Sequence, residues 1–235
     1  LPYRQEWNLF VVISTHSRDL FNAKLKELTN GIHSVSFNGK NKLQTQVAIT
    51  VGVIAPEGAG SYVYAKQLKI IDPSAHVIGF DFGTSTIIPQ VFAPNGKMIY
   101  HHPLEVGGCI TLLEEIASDP GLVQYLGTGK ASSIELVRKG IESGEFGYGT
   151  RDFNLRPIYA RTIKTWLADR LRLALKATEE WRDAAGSLIA WGGGTQMPGV
   201  SKMLATQKVL TTPEGSWANA IGLQRMAEGL LARGK

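Results

Sequence analysis

The residues best suited to chemistry lie in two glycine-marked turns, each closing an apolar run. The first is His76-Val-Ile-Gly-Phe80-Asp81-Phe-Gly83-Thr84-Ser85-Thr86. Gly83 admits backbone conformations closed to other residues. The turn amides, with the hydroxyls of Thr84, Ser85 and Thr86, can donate hydrogen bonds to phosphate oxygens. Asp81, at the strand end, is placed to hold Mg²⁺ through water, because Mg²⁺ keeps several of its waters. The same residues would also make a polar hairpin in which Asp81 caps its own turn. Residue types alone do not choose between the two.

The second turn is Leu188-Ile-Ala-Trp191-Gly192-Gly193-Gly194-Thr195-Gln-Met197-Pro198-Gly199. Three glycines after a buried strand let the backbone approach a flat ligand closely, and Met197 can pack on a purine face. A loose strand-to-helix loop is the plainer alternative, but three consecutive glycines directly after a buried strand favour a ligand role. Two such turns, each at a strand end and in this order, suggest a nucleotide held in a cleft between two lobes.

Two further candidates carry less on their own. Glu57 follows Pro56 and precedes Gly58, Ala59 and Gly60. A carboxylate beside small residues can position a water for attack on a phosphoryl group, although alone it reads as an exposed turn residue. Gly107-Gly108, after Glu105, would open a helix whose bare amides suit an anion or a ribose, or would form only a turn.

Other chemistries find no support. The five histidines show no Cys–His or His-x-x-x-His spacing for zinc. There is no Gly-x-Ser-x-Gly elbow and no Gly-x-x-x-x-Gly-Lys-Ser/Thr loop. The single Cys109 excludes an internal disulfide and fits a reducing, cytoplasmic compartment; it reads as a small buried apolar side chain. No apolar run approaches the ~20 residues of a membrane span, so no membrane partner is expected. The net charge of +5 permits contact with nucleotide phosphates or acidic partners. The densest basic group, Arg161, Lys164, Arg170, Arg172 and Lys176, shares one helical segment with Asp169, Glu179 and Glu180. That reads as a solvated helix face, and direct nucleic-acid contact is not expected.

The elements that would position these residues alternate strand and helix. Strands are expected at Leu9 to Ser14, Gly31 to Phe37, Leu43 to Ile54, His76 to Asp81, Thr86 to Phe92, Lys97 to His101 and Leu188 to Trp191. Asn38-Gly39 marks a hairpin. Helices are expected at Asp19 to Leu28, Tyr62 to Ile70, Ile110 to Ala117, Ser132 to Ser143, Arg156 to Arg182, Pro198 to Leu204 and Trp217 to Ala232. Asp72-Pro73-Ser74 is the best candidate for a domain boundary. Mixed elements of these lengths indicate α/β architecture with two lobes.

Taken in this order, the residues resemble the actin-like ATPases of the wider actin, heat-shock chaperone and sugar kinase group, most of all bacterial plasmid-segregation actins of the ParM/StbA type. Phe80 to Thr86 looks like the second phosphate loop of that group, and Ala190 to Gly199 looks like its adenosine loop. Val53-Ile-Ala-Pro56-Glu57-Gly58 sits where that family has a Pro-Glu pair serving hydrolysis. Glu105-Val-Gly107-Gly108 sits where the family turns into a helix beside the nucleotide.

The resemblance implies an actin-like fold of two ribonuclease-H-like lobes with ATP and Mg²⁺ between them. Residues 1–75 would be the remainder of the first lobe and 76–235 the second, with the C-terminal helix packing back on the first. It implies head-to-tail self-association into filaments and plasmid segregation through a DNA-binding adaptor protein. Asp81 would hold the metal water, Gly83 to Thr86 the β/γ-phosphates, and Glu57 the attacking water. Gly107 and Gly108 would adjoin the nucleotide. Gly192, Gly193, Gly194 and Thr195 would hold the adenosine, with Met197 against the base.

Two departures stand out. No Asp-x-Gly hairpin precedes Leu9, so the first lobe is expected to be incomplete. Ile87-Ile88 stands where a further aspartate follows the second phosphate loop in the family. A non-hydrolysing actin-like interaction protein and a sugar or acetate kinase of the same superfamily are the alternative readings.

Overall fold

The protein is described from a computed structural model covering residues 4–36, 43–127 and 129–234, without the side chains of Arg18 and Asp19. The hairpin turn expected at Asn38-Gly39 lies outside these residues. The chain forms two compact units, residues 1–64 with 219–235, and residues 65–218.

The first unit is built on a three-stranded sheet of order β1-β3-β2, from β1 (Glu6–Thr15), β2 (Gly31–Ser36) and β3 (Gln44–Pro56). Helix α1 (Arg18–Thr29) connects β1 to β2. Strands β1 and β3 run parallel from Glu6↔Gln46 to Thr15↔Pro56, and β2 lies antiparallel to β3. Helix α2 (Ala59–Gln67) follows β3, and helix α8 (Ala218–Arg233) closes the chain. Asn219 holds this unit together: its side chain accepts from the Gly60 amide and donates to the Ser14 hydroxyl, both at 3.0 Å. Gly222 packs so tightly on the Gly60 backbone that no larger residue fits there.

The second unit begins inside α2, at Ala65, and includes the Asp72-Pro73-Ser74 break. The Asp72 amide donates to the Ser187 hydroxyl at 2.9 Å, which ties the turn to the second unit. The turn itself is closed by the Asp72 carboxylate, which accepts from the hydroxyl and amide of Ser74. Those bonds hold the carboxyl below its usual range.

A five-stranded sheet of order β10-β9-β4-β5-β6 forms the centre of this unit. Strands β4 (His76–Phe82), β5 (Ile87–Phe92) and β6 (Met98–His101) make an antiparallel meander. Strand β9 (Ala185–Trp191) runs parallel to β4, and β10 (Leu210–Thr211) runs parallel to β9. Every residue of β5 is buried, as expected of a strand covered on both faces. Alternation along β4 sends Ile78, Phe80 and Phe82 into the main core. On the other face, Gly79 leaves room for the indole of Trp191, which packs edge-on to Phe92 at 6.3 Å.

The core face is covered by α3 (Cys109–Ala117), α5 (Ile134–Glu142) and α6 (Arg156–Ala177), through Leu112, Ile116, Val137, Ile141, Ile163 and Trp166. Between them lie α4 (Pro120–Leu126) and a small hairpin of β7 (Gly147–Tyr148) and β8 (Arg151–Asn154), none of which the hydrophobic pattern predicted. The Ser133 hydroxyl caps α5, accepting from the Leu136 amide at 3.3 Å. Helix α6 stops at Ala177, short of the expected Arg182, and the chain continues as a 3₁₀ segment, Glu179–Ala184. The buried Thr178 hydroxyl bonds back to the Ala174 carbonyl at 3.1 Å there. Helix α7 (Val200–Thr206) follows the triple-glycine turn.

Candidate functional site

Parallel pairing explains why the two turns meet. Asp81 lies opposite Trp191 in the β4–β9 register, so both strands deliver their carboxyl ends to the same edge of the sheet. Ligands of α/β sheets bind at that edge. The chain leaves β4 through Gly83 to Thr86, closed by the Gly83 amide donating to the Thr86 carbonyl at 3.0 Å. It leaves β9 through Gly192 to Thr195. The Gly192 amide donates to the Gly215 carbonyl at 3.1 Å, and the Thr195 hydroxyl donates to the Gly192 carbonyl at 2.8 Å.

The turns touch through glycine. A side chain on Gly192 would place its Cβ 2.5 Å from the Asp81 Oδ1 and 2.7 Å from the Phe82 carbonyl oxygen. One on Gly194 would lie 2.7 Å from the Phe82 Cβ and 2.8 Å from the Cys109 Sγ. The glycines are therefore required for the two turns to pack as closely as they do.

Together the turns wall a cavity of about 390 Å³, within the range of small-molecule sites. Thr84 comes from one turn and Gly193, Gly194, Gln196, Met197 and Pro198 from the other; Cys109 and Leu113 of α3, Arg138, Ile141 and Glu142 of α5, and Ser216 complete the wall. Asp81 and Gly192 are outside the lining; they lie against each other, Gly192 preceding the lining residue Gly193, and Thr195 is buried. Ser85 is exposed at the tip of its turn and Thr86 is half-buried.

Gly107 and Gly108 reach the same place by a route that differs from the expectation. The amides that follow them are not bare. Cys109 donates to the Gly83 carbonyl at 3.0 Å and Ile110 to the Thr84 carbonyl at 2.9 Å. The α3 amino terminus thus grips the phosphate-type turn instead of leaving those two donors for an anion. Gly108 is needed for this grip, because a Cβ there would strike the Gly83 and Thr84 backbone. Arg170 of α6 secures the arrangement from behind, donating to the Val106 carbonyl at 2.8 Å and to the Thr111 hydroxyl at 3.1 Å. Tyr159, also on α6, donates to the Pro198 carbonyl at 2.8 Å and anchors the segment next to Met197.

Glu57 belongs to the first unit. It follows β3 at the carboxyl end of the parallel β1–β3 pair, half-buried, with its amide donating to the Thr15 carbonyl at 3.0 Å.

The electrostatics are mixed. Burial, with the Asp81 charge adding to it, pushes the Cys109 thiol up to about 12, so it stays a neutral thiol in the cavity wall. On the α5 rim, Arg138 forks between Glu135 at 2.7 Å and Glu142 at 3.0 Å. That guanidinium holds the Glu135 carboxyl below the usual range. The sequence pattern does not single these three out as site residues, since i, i+3 and i, i+4 charge spacing is common on any solvated helix. Among the described residues no cluster of three or more His, Cys, Asp or Glu could hold a metal by itself.

No family model matches the chain, and no curated protein matches it. Solved structures do. The chain superposes on the archaeal actin homolog Ta0583 in complex with ADP with a TM-score of 0.78 and 17% identity, covering 95% of this chain and 72% of that one. It superposes on the Alp12 filament structure with a TM-score of 0.68 and 18% identity, covering 98% and 71%. Against the 15-stranded ParM filament from Clostridium botulinum the score is 0.67 at 14% identity, covering 94% and 66%. The chain has the actin-like fold and spans roughly 70% of the length of these neighbours. Among the described residues no helix is long and apolar enough to cross a membrane.

Proposed function

We propose that this chain is a nucleotide-dependent, filament-forming actin-like protein that binds ATP with Mg²⁺ and serves plasmid segregation through a DNA-binding adaptor. The observation that carries the reading is the shared cavity of about 390 Å³ between the Thr84 turn and the Gly193-Gly194-Met197 turn. A solved actin homolog of the same fold was captured with ADP, and two other neighbours are filaments.

In this reading Gly83, Thr84, Ser85 and Thr86 receive the β/γ-phosphates through turn amides and hydroxyls. Asp81 holds a metal-bound water. Gly192, Gly193, Gly194 and Thr195 hold the adenosine, with Met197 against the base. Gly107 and Gly108 set the position of the phosphate turn. Mg²⁺, when bound, would neutralise charge on the phosphates. Glu57 orients the water that attacks the terminal phosphoryl group.

Sedimentation with ATP, with ADP and without nucleotide tests the whole reading. Pelleting with ATP alone, followed by phosphate release, is the expected result. Glu57→Ala should slow phosphate release by roughly 10²-fold, the scale of a lost general base, and leave filaments long-lived. Unchanged turnover would remove Glu57 from this role.

A non-hydrolysing scaffold is the second reading. One observation favours it: Ile87 and Ile88, at the positions following the phosphate turn, are buried apolar residues of β5. No carboxylate is available there to assist the metal. ATP-dependent pelleting without phosphate release would select this reading.

A further inference from the structure

A second crevice in this unit lies apart from the two turns. It has a volume of about 630 Å³ and runs along α6 toward the 3₁₀ segment and α7. Its α6 wall repeats at Lys164, Leu167, Ala168, Leu171, Arg172, Leu175 and Lys176, the i, i+3, i+4 spacing of one helix stripe. From Lys164 to Lys176 that stripe is about 18 Å long at 1.5 Å per residue.

The basic group of α6 does not act as one surface. Arg161 pairs with Asp119, and Arg170 turns inward to Val106 and Thr111. Lys164, Arg172 and Lys176 remain on the crevice, joined by Arg182 from the 3₁₀ segment. All four are exposed, and among the described residues no ion pair engages them. Glu179 is the lone carboxylate in the lining. The floor between these cations is apolar: Leu167, Leu171, Leu175 and Met203.

From this combination we infer that the α6–α7 crevice docks an acidic amphipathic helix of a partner protein. Apolar anchors of the helix lie on the leucine and methionine floor, and its carboxylates meet the four rim cations. A nucleic acid fits less well, because no aromatic ring lines the crevice for base stacking and the apolar floor gives a phosphate backbone nothing. A small molecule would call for a more enclosing wall. A second copy of this chain carries net charge +5 and would bring like charge to a basic rim. The inference stands apart from the nucleotide reading and shares none of its site residues.

The test uses the full chain and a fluorescein-labelled synthetic helix of about 12 residues, matched to the stripe length. The helix has leucine on one face and glutamate on the other. Fluorescence polarisation is read for the unaltered chain, for Arg172→Glu with Lys176→Glu, and for Lys164→Glu with Arg182→Glu. Far-UV circular dichroism checks that each variant is folded. The expected result is saturable binding, weakened at least about tenfold by either charge-reversed pair and weakened by salt, with no binding of a lysine-for-glutamate peptide. Four results would overturn the inference: no saturable binding by the unaltered chain; equal binding by folded variants; pelleting with phosphatidylserine vesicles, unaffected by the acidic peptide, that charge reversal abolishes; or self-association that charge reversal abolishes.

Discussion

Gly192→Val is expected to unfold far more readily than the unaltered chain and to bind no nucleotide. Gly192 sits at φ 88° and ψ 167°, a region essentially reserved for glycine, where a residue with a side chain is strained by about 1–3 kcal/mol. Its Cβ would also press on the Asp81 carboxylate and the Phe82 carbonyl, and overpacking of that kind adds about 1–3 kcal/mol. The sum, about 2–6 kcal/mol, is a large share of a typical domain's stability. Gly199 provides the control. It shares the positive φ, 84°, but with ψ −13° it lies in the left-handed helical region that residues with a side chain can enter, and nothing lies within 4 Å of an added Cβ. Gly199→Ala should therefore cost only the conformational part, about 1–2 kcal/mol, and keep nucleotide affinity. Urea unfolding with linear extrapolation measures both. Equal destabilisation by the two substitutions would show that crowding against Asp81 is not what Gly192 relieves.

The second large effect is expected at Asp81. Its carboxylate lies against Gly192, the residue before the cavity-lining Gly193, and in the proposed site it acts only when a metal is present. Asp81→Asn keeps the shape and removes the charge. Affinity for ATP in the presence of Mg²⁺ should fall by about tenfold to a hundredfold, the ~1.5–3 kcal/mol of a lost charged hydrogen bond. Affinity measured with EDTA should barely change. Calorimetry across the four conditions isolates the coupling. A Mg²⁺ effect of the same size in both proteins would exclude Asp81 from metal binding, while Asp81→Ala should behave as Asn does.

What the sequence made legible is local. The apolar runs before Asp81 and Gly192 are strands, and both are followed by tight glycine turns. Their residue types were enough to nominate a phosphate-type turn and an adenosine-type turn. The parallel pairing of β4 with β9, which brings the turns to one edge, is a long-range fact that no local pattern encodes. The same limit explains α3. Gly107-Gly108 marked a helix start correctly, yet its next two amides are taken by Gly83 and Thr84, partners remote in sequence. The α5 wall was missed because amphipathic spacing shows that a helix has a buried face, not what its exposed edge overlooks. The short hairpin β7–β8 left no periodic signal, having only two and four residues.

Hydrogen–deuterium exchange of the full chain, with and without ATP and Mg²⁺, probes the convergence of the two turns most directly. Nucleotide should slow exchange in the peptides covering residues 83–86 and 192–197 together, at the same ligand concentration. Protection of one turn alone, or of neither while nucleotide is bound, would contradict a single site built from both.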